Sequence, residues 1–192
     1  MTLYSAVRCP YCVRVRLVLA EKGIDHEVVE IDLADRDPVL RTLNRRNRVP
    51  VLVDGDLVLP ESVVINEYLE ERFPEPRMMP ADAAERALVR RLIVVFEDLT
   101  DAYYDFRRSP DALPPLREQL RHLDGQLAGG YLAGADLTLA EPGYWPWIAR
   151  MQATMSVDLA PYPRLEAWKA RLDARPAYAA ELALMEPQAA GA

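Results

Sequence analysis

The chain has 192 residues, 51% of them hydrophobic and 28% charged, with a net charge of −7. That apolar fraction supports one good core or two small ones, and an acidic balance with a pI near 5.0 argues against direct nucleic-acid binding. No apolar run approaches the ~20 residues of a membrane span, so no membrane partner is expected. Strand-forming residues from Thr2 leave no room for a signal peptide, which gives a cytoplasmic expectation.

Residues 2–5 read as a short strand, followed by a loop and a helix over 10–23. Pro10 suits the first helical position, where the amide has no intrahelical partner, and Gly23 can adopt the positive φ that ends a helix. Val13, Leu17 and Ala20, with Val15, Val18 and Leu19 between them, suit a helix buried on several sides. Cys9 therefore faces the free amides and the positive end of the helix dipole, where a thiolate is favoured and the pKa falls below about 8.5. Arg8 and Arg14 add positive charge nearby. A nucleophilic or redox thiol is the leading reading of Cys9-Pro10-Tyr11-Cys12. The alternatives are inert fillers or half of a zinc site. A closed zinc site needs four ligands, and the chain has no third cysteine, while His26 and His122 stand far from ligand spacing. A structural disulfide is disfavoured in a cytoplasmic protein.

Residues 26–32 read as a second strand, parallel to the first because a helix separates them. A polar stretch over 32–48 holds a short helix opened by Pro38. Residues 49–59 form two strands joined at Asp54-Gly55, a strong hairpin signal, with Pro50 opening the first. A helix over 61–73 places Val64, Ile65, Tyr68 and Leu69 on one face. Glu61 and Ser62 at its start are either an ordinary cap or an anion site.

The proline-dense stretch from Phe73 to Pro80 reads as a linker, giving domains at 1–73 and 83–192 with the linker over 74–82. Leu88, Leu92, Val95, Leu99, Tyr103 and Phe106 mark one long helix of roughly seven turns. A second helix spans 110–127, and residues 131–134 form a turn. Thr138 and Glu141 form a capping box, threonine serving the third amide and glutamate reaching back. The helix they start carries Trp145, Trp147, Ile148 and Met151, and Pro142 and Pro146 within it predict a bend or a late start. Two further helices follow, from Tyr162-Pro163 and after Pro176, and 186–192 is expected to fray.

A β-α-β half carrying C-P-Y-C, a β-β-α half carrying V-P and E-S, and an all-helical remainder resemble the glutathione transferase superfamily over nearly the whole chain. The resemblance implies an α/β plus all-α fold: a thioredoxin-like N-terminal domain (βαβ-ββα), then an all-helical transferase domain. Cys9-Pro10-Tyr11-Cys12 matches the glutaredoxin motif, and a cysteine here resembles the omega and related cysteine-type classes. By resemblance, Cys9 forms a mixed disulfide with the cosubstrate glutathione, and Cys12 resolves it or stays silent. Val49 pairs its backbone with the cysteinyl part, Pro50 is the family cis-proline, and Glu61 and Ser62 hold the γ-glutamyl end. Thr138 and Glu141 match a structural box, from which Pro142 departs by replacing an aliphatic residue. The implied second substrate is a small electrophile or disulfide. For conjugation to an electrophile, Phe96, Tyr103, Tyr104 and Trp145 are candidate pocket residues, although that spacing is more often plain core. The implied assembly is a homodimer.

The segments Val18-Leu-Ala-Glu-Lys-Gly23 and 66–80 also resemble the stringent starvation protein A family, which implies an RNA polymerase-associated regulator without enzymatic activity as the alternative. Two features depart from that family: Pro74-Glu75-Pro76 stands where it has Pro-His-Pro, and the cysteine pair is present.

Overall fold

The computed structural model describes residues 1–185, so the tail expected to fray over 186–192 lies outside the described residues. The chain divides into two compact units, Met1–Arg77 and a second from Met78 on.

The first unit is a four-stranded sheet with three helices. Strand β1 (Thr2–Ser5) leads through a loop into α1 (Pro10–Glu21), then β2 (Glu27–Glu30), the short α2 (Val39–Leu43), β3 (Val51–Asp54), β4 (Leu57–Pro60) and α3 (Ser62–Arg72). The order in the sheet is β2-β1-β3-β4. β1 runs parallel to β2, with Thr2 opposite Glu27 and Ser5 opposite Glu30, as the intervening helix requires. β3 lies antiparallel to β1 and to β4. The second strand is shorter than the sequence suggests, because all four of its residues are exposed and only β1 pairs with it. The hairpin turns on Gly55-Asp56 with φ +59° at the glycine, so glycine occupies the first central position where positive φ is needed.

Helix α1 closes with Gly23 at φ +61°, whose amide donates to the Ala20 carbonyl while that of Ile24 donates to the Leu19 carbonyl. These two bonds satisfy carbonyls that the helix end would leave open. α1 and α3 pack together, and their C-terminal ends are joined by a buried cation. Lys22 Nζ lies 2.6 Å from Glu70 Oε2 and donates to the Phe73 and Pro76 carbonyls at 2.8 Å each. The core continues under the β1–α1 loop as a cluster of Ala6, Cys9, Cys12, Ile31, Leu40, Val49 and Val51.

The second unit is helical: α4 (Ala83–Arg108), α5 (Leu113–Gln126), α6 (Ala140–Met155), α7 (Pro163–Asp173) and α8 (Pro176–Met185). α4 is capped by Asp82, whose carboxylate accepts from the amides of Ala84 and Glu85. The helix expected from residue 110 begins as a 3₁₀ turn over Pro110–Ala112 and becomes α-helical at Leu113. α6 is continuous from Ala140 through Pro146, without the late start that its prolines suggest. Pro142 sits in the first turn, where it removes no intrahelical bond.

The capping box differs in detail from its expected form. Thr138 Oγ1 accepts from the amide of Ala140, the second rather than the third, at 3.2 Å. The fully buried Glu141 carboxylate accepts from the amides of Leu132 and Thr138, both at 2.7 Å, and from Thr138 Oγ1 at 2.9 Å. Burial pushes its pKa up against those donors. Trp145, Trp147, Phe96 and Tyr103 are buried in this unit, and Phe96 meets the rings of Tyr144 and Trp147 edge-on. Among the described residues no helix is long and apolar enough to cross a membrane.

The Lys22–Glu70 pair generates a stability prediction. Lys22→Met takes the buried ammonium away from the Glu70 carboxylate and two carbonyls, and is expected to cost about 3–5 kcal/mol in urea unfolding. Adding Glu70→Leu should recover much of that loss, because the buried carboxylate that lost this cation goes with it. A double variant no more stable than the single one contradicts this account.

Candidate active site

Four elements bring the candidate residues together: the loop after β1, the start of α1, the bend before β3 and the start of α3. Cys9 is the N-cap of α1, with φ −88° and ψ 116°. Its amide donates to the Ala6 carbonyl, and its own carbonyl accepts from the amides of Cys12 and Val13, all at 3.0 Å. These bonds fix the loop and point the first amides of α1 toward the sulfur. The Cys12 thiol donates to the Cys9 sulfur and favours its anion most. Burial opposes this, while the amides of Cys12 and Tyr11 and the charge of Arg16 add to it. The Cys9 pKa is thereby held well below the ordinary thiol range, at about 6.

Cys12 behaves in the opposite way. It is fully buried one turn along α1, where its sulfur accepts from the Ala6 amide at 3.3 Å. Burial, followed by its bond to the Cys9 sulfur, pushes its thiol well above the ordinary range. Neither cysteine is in a disulfide. The pair therefore divides into an anion at the helix mouth and a neutral thiol behind it.

Among the charges that lower the Cys9 pKa is that of Arg16, which adjacency in the chain does not single out. Arg16 bridges back to the β1–α1 loop, donating to Ser5 Oγ at 2.8 Å and to the carbonyls of Ala6 and Val7 at 3.3 and 3.1 Å. Arg14 and Arg16 are two residues apart, about 200° around the helix, so they leave on opposite faces. Arg14 points toward α3 and donates to Ser62 Oγ at 3.2 Å. The helical period alone separates these two arginines. Which of them reaches the sulfur depends on where the loop folds.

Val49 joins Cys9 and Cys12 in one apolar cluster, and the Val49–Pro50 bond is cis. Glu61 and Ser62 do not form the ordinary cap, since no side-chain oxygen there accepts from a first-turn amide of α3. Glu61 instead sits at φ +72°, a region a non-glycine residue enters only under strain, and its carboxylate accepts from Arg46 at 3.1 Å. Ser62 is buried, its hydroxyl oxygen taken by Arg14. The first amides of α3 have no intrahelical acceptor and no cap, and with a serine hydroxyl and a guanidinium beside them they can hold a carboxylate. Among the described residues no group of three or more His, Cys, Asp or Glu side chains can hold a metal ion.

The chain matches the family model "Glutathione S-transferase, N-terminal domain" over residues 3–77 and "Glutathione S-transferase, C-terminal domain" over residues 108–171. It is 32% identical over 185 residues to glutathione S-transferase omega-1 of Mus musculus, covering 91% of this chain and 77% of that one. It is 33% identical over 197 residues to a stringent starvation protein A homolog of Pasteurella multocida, covering 98% and 92%. Among solved structures, a glutathione S-transferase from the Antarctic clam Laternula elliptica superposes with a TM-score of 0.88 at 25% identity, covering 94% of this chain and 90% of that one.

The sulfur pair gives a direct prediction. Iodoacetamide labelling of Cys9 should rise with pH around a midpoint near 6. Cys12→Ala, which removes the main donor, should move that midpoint upward, and Arg16→Gln should move it upward by less. A wild-type midpoint at the free-cysteine value of about 8.5 contradicts the assignment.

Proposed function

The chain belongs to the glutathione S-transferase family, and on that premise we propose that it is a cysteine-type enzyme of glutathione-dependent thiol transfer and mixed-disulfide reduction. Glutathione is the family's cosubstrate. The observation that carries the proposal is Cys9, an N-cap sulfur held as an anion by the Cys12 thiol and two amides.

The Cys9 thiolate attacks the glutathione sulfur of a mixed disulfide. A bond forms between Cys9 and glutathione, and the substrate sulfur leaves as a thiolate that takes a proton from water. A second glutathione thiolate then attacks the glutathione sulfur bound to Cys9, releasing glutathione disulfide and restoring the Cys9 anion. A leaving group of low pKa and an attacking thiolate already present at neutral pH make both steps faster. In this reading the backbone of Val49, beside the cis Pro50, pairs with the cysteinyl part of glutathione. The start of α3, with Glu61 and Ser62, takes the γ-glutamyl carboxylate. Conjugation to electrophiles is disfavoured, because the protein sulfur competes as nucleophile. The proposal extends to a cytoplasmic homodimer.

The 33% identity to a stringent starvation protein A homolog supports a second reading, an RNA polymerase-associated regulator that kept an ancestral site. Co-purification with RNA polymerase from native lysate, lost on substitution of Pro74 to Pro76, supports that reading. A protein that reduces mixed disulfides and does not co-purify contradicts it.

Turnover of the mixed disulfide of glutathione and hydroxyethyl disulfide tests the enzyme. Cys9→Ser should lower the rate on the order of a hundredfold or more, while Cys12→Ser keeps turnover by the one-cysteine route. In calorimetric titration, Ser62→Ala should weaken glutathione binding about tenfold, the worth of one hydrogen bond to a charged group. Equal rates for wild type and Cys9→Ser contradict the proposal.

A further inference from the structure

The helical unit holds a cleft between α4 and α5 that the reaction above does not use. These helices pack together and are joined through Ser109 and the 3₁₀ turn over Pro110–Ala112, so they run antiparallel. The floor is apolar: Val95, Leu99 and Leu123, with Tyr144, whose hydroxyl is engaged by the Leu92 carbonyl at 2.7 Å. The α5 wall is polar, and there the Gln126 amide donates to His122 Nε2 at 3.0 Å. On the α4 wall stand Arg91 and Asp98. Their spacing is within about 20° of two full turns and rises about 10 Å, so cation and carboxylate share a face at opposite ends of the cleft. Both are exposed, and among the described residues neither side chain has a hydrogen-bond or ion-pair partner. The antiparallel course of α5 sets Gln126 at the Arg91 end and Gln119 at the Asp98 end. The cleft encloses about 110 Å³. A cavity of about 150 Å³ admits benzene, so this one takes a single aliphatic side chain.

We propose that this cleft binds a short peptide with free termini, its carboxylate on Arg91, its ammonium on Asp98 and one aliphatic side chain on the floor. Each feature of the ligand follows from a feature of the cleft. Opposite charges about 10 Å apart select a zwitterion of that length, and three extended residues at about 3.3–3.6 Å each span it. A free amino acid is too short to meet both ends. A diacid sets a carboxylate against Asp98, and a diamine sets an ammonium against Arg91, so each is rejected at one end. Gln119 and Gln126 carry both donor and acceptor atoms and therefore suit a terminus of either sign. The apolar floor supplies most of the affinity, because exposed ion pairs contribute little. The charges set length and direction. The cleft shares no residue with the cysteine pair or with the start of α3, so the inference is independent of the thiol-transfer reading.

The probe is the tripeptide Gly-Leu-Gly, titrated into the protein by calorimetry at low salt. Wild type should saturate at or below about a millimolar, in line with the binding expected per atom of a small ligand. N-acetyl-Gly-Leu-Gly and Gly-Leu-Gly amide should each bind about tenfold more weakly, since each lacks one charge-assisted bond. Asp98→Asn should weaken the free tripeptide about tenfold and leave the affinity for the acetylated peptide unchanged. Arg91→Gln should do the same with the amide as the indifferent ligand. A wild type that binds none of the three peptides overturns the inference, and so does a variant that weakens all three equally. Displacement of Gly-Leu-Gly by S-methylglutathione overturns it as well, because the peptide then occupies the cysteine site. An affinity that falls as protein concentration is raised also overturns it, since a second copy then covers the cleft. Both variants should keep the wild-type turnover of mixed disulfide, and a loss of turnover in parallel with peptide binding overturns the inference. A wild type without turnover overturns the thiol-transfer reading alone, and saturable binding of Gly-Leu-Gly with the paired losses still supports this site.

Discussion

The candidate site depends on one placement: a sulfur at the position where a helix begins and its amides have no carbonyl to meet. Pro10 in the first helical position and the Cys9 carbonyl accepting from Cys12 and Val13 fix that geometry from the backbone outward. A helix start alone gives a modest lowering of a thiol pKa. Here the neighbouring thiol contributes most, and it can do so because burial keeps it protonated. The same apolar surroundings that oppose the Cys9 anion therefore also secure its main donor. Two identical side chains one helical turn apart acquire opposite roles from their surroundings: donors and a cation around Cys9, burial around Cys12.

The rest of the first unit holds that arrangement in place. Arg16 closes the β1–α1 loop over Ser5, Ala6 and Val7, so the segment before the cysteine is anchored by the helix that follows it. At the far end of α1, Lys22 joins Glu70 and the carbonyls of Phe73 and Pro76, which sets α1 against α3. Between those ends Arg14 donates to Ser62. α1 is thus tied along its length to the elements that carry the other candidate residues. Such buried polar ties add little net stability, and they resist alternative registers because a slip strands a charge. The apolar cluster of Ala6, Cys9, Cys12, Val49 and Val51 fills the space beside them.

The helical unit shows a different economy. Its Glu141 is buried and satisfied by two amides and a hydroxyl, and Asp124 of α5 accepts from the amides of Arg164 and Leu165 at the start of α7. Both carboxylates serve helix starts, one from within its own helix and one from a neighbour. Phe96, Tyr103 and Trp145, which spacing alone allows as pocket residues, are buried among other side chains of this unit. Periodicity identifies residues that face inward and says nothing about whether a cavity meets them.

What the sequence determined by itself is local. Proline at a helix start and glycine at its end, an Asp-Gly between two β-branched runs, and a long three-and-four apolar period each act within a few residues of themselves. Strands β1 to β4, helices α1, α3 and α4 and the helix-mouth position of Cys9 were legible for that reason. Short-range signals failed where two of them competed, as at Pro110–Ala112, where prolines delay α5 by one 3₁₀ turn. Tertiary structure decided the partners. Arg14 with Ser62 and Lys22 with Glu70 are each separated by 48 positions, and no local pattern names the mate of a buried cation. It also decided that Arg16 closes over the β1–α1 loop and acts on Cys9, and that Glu61 leaves the capping conformation. The physical reason is the same in each case: a side chain's protonation and bonding follow from what surrounds it in space, and only the closed fold supplies those surroundings.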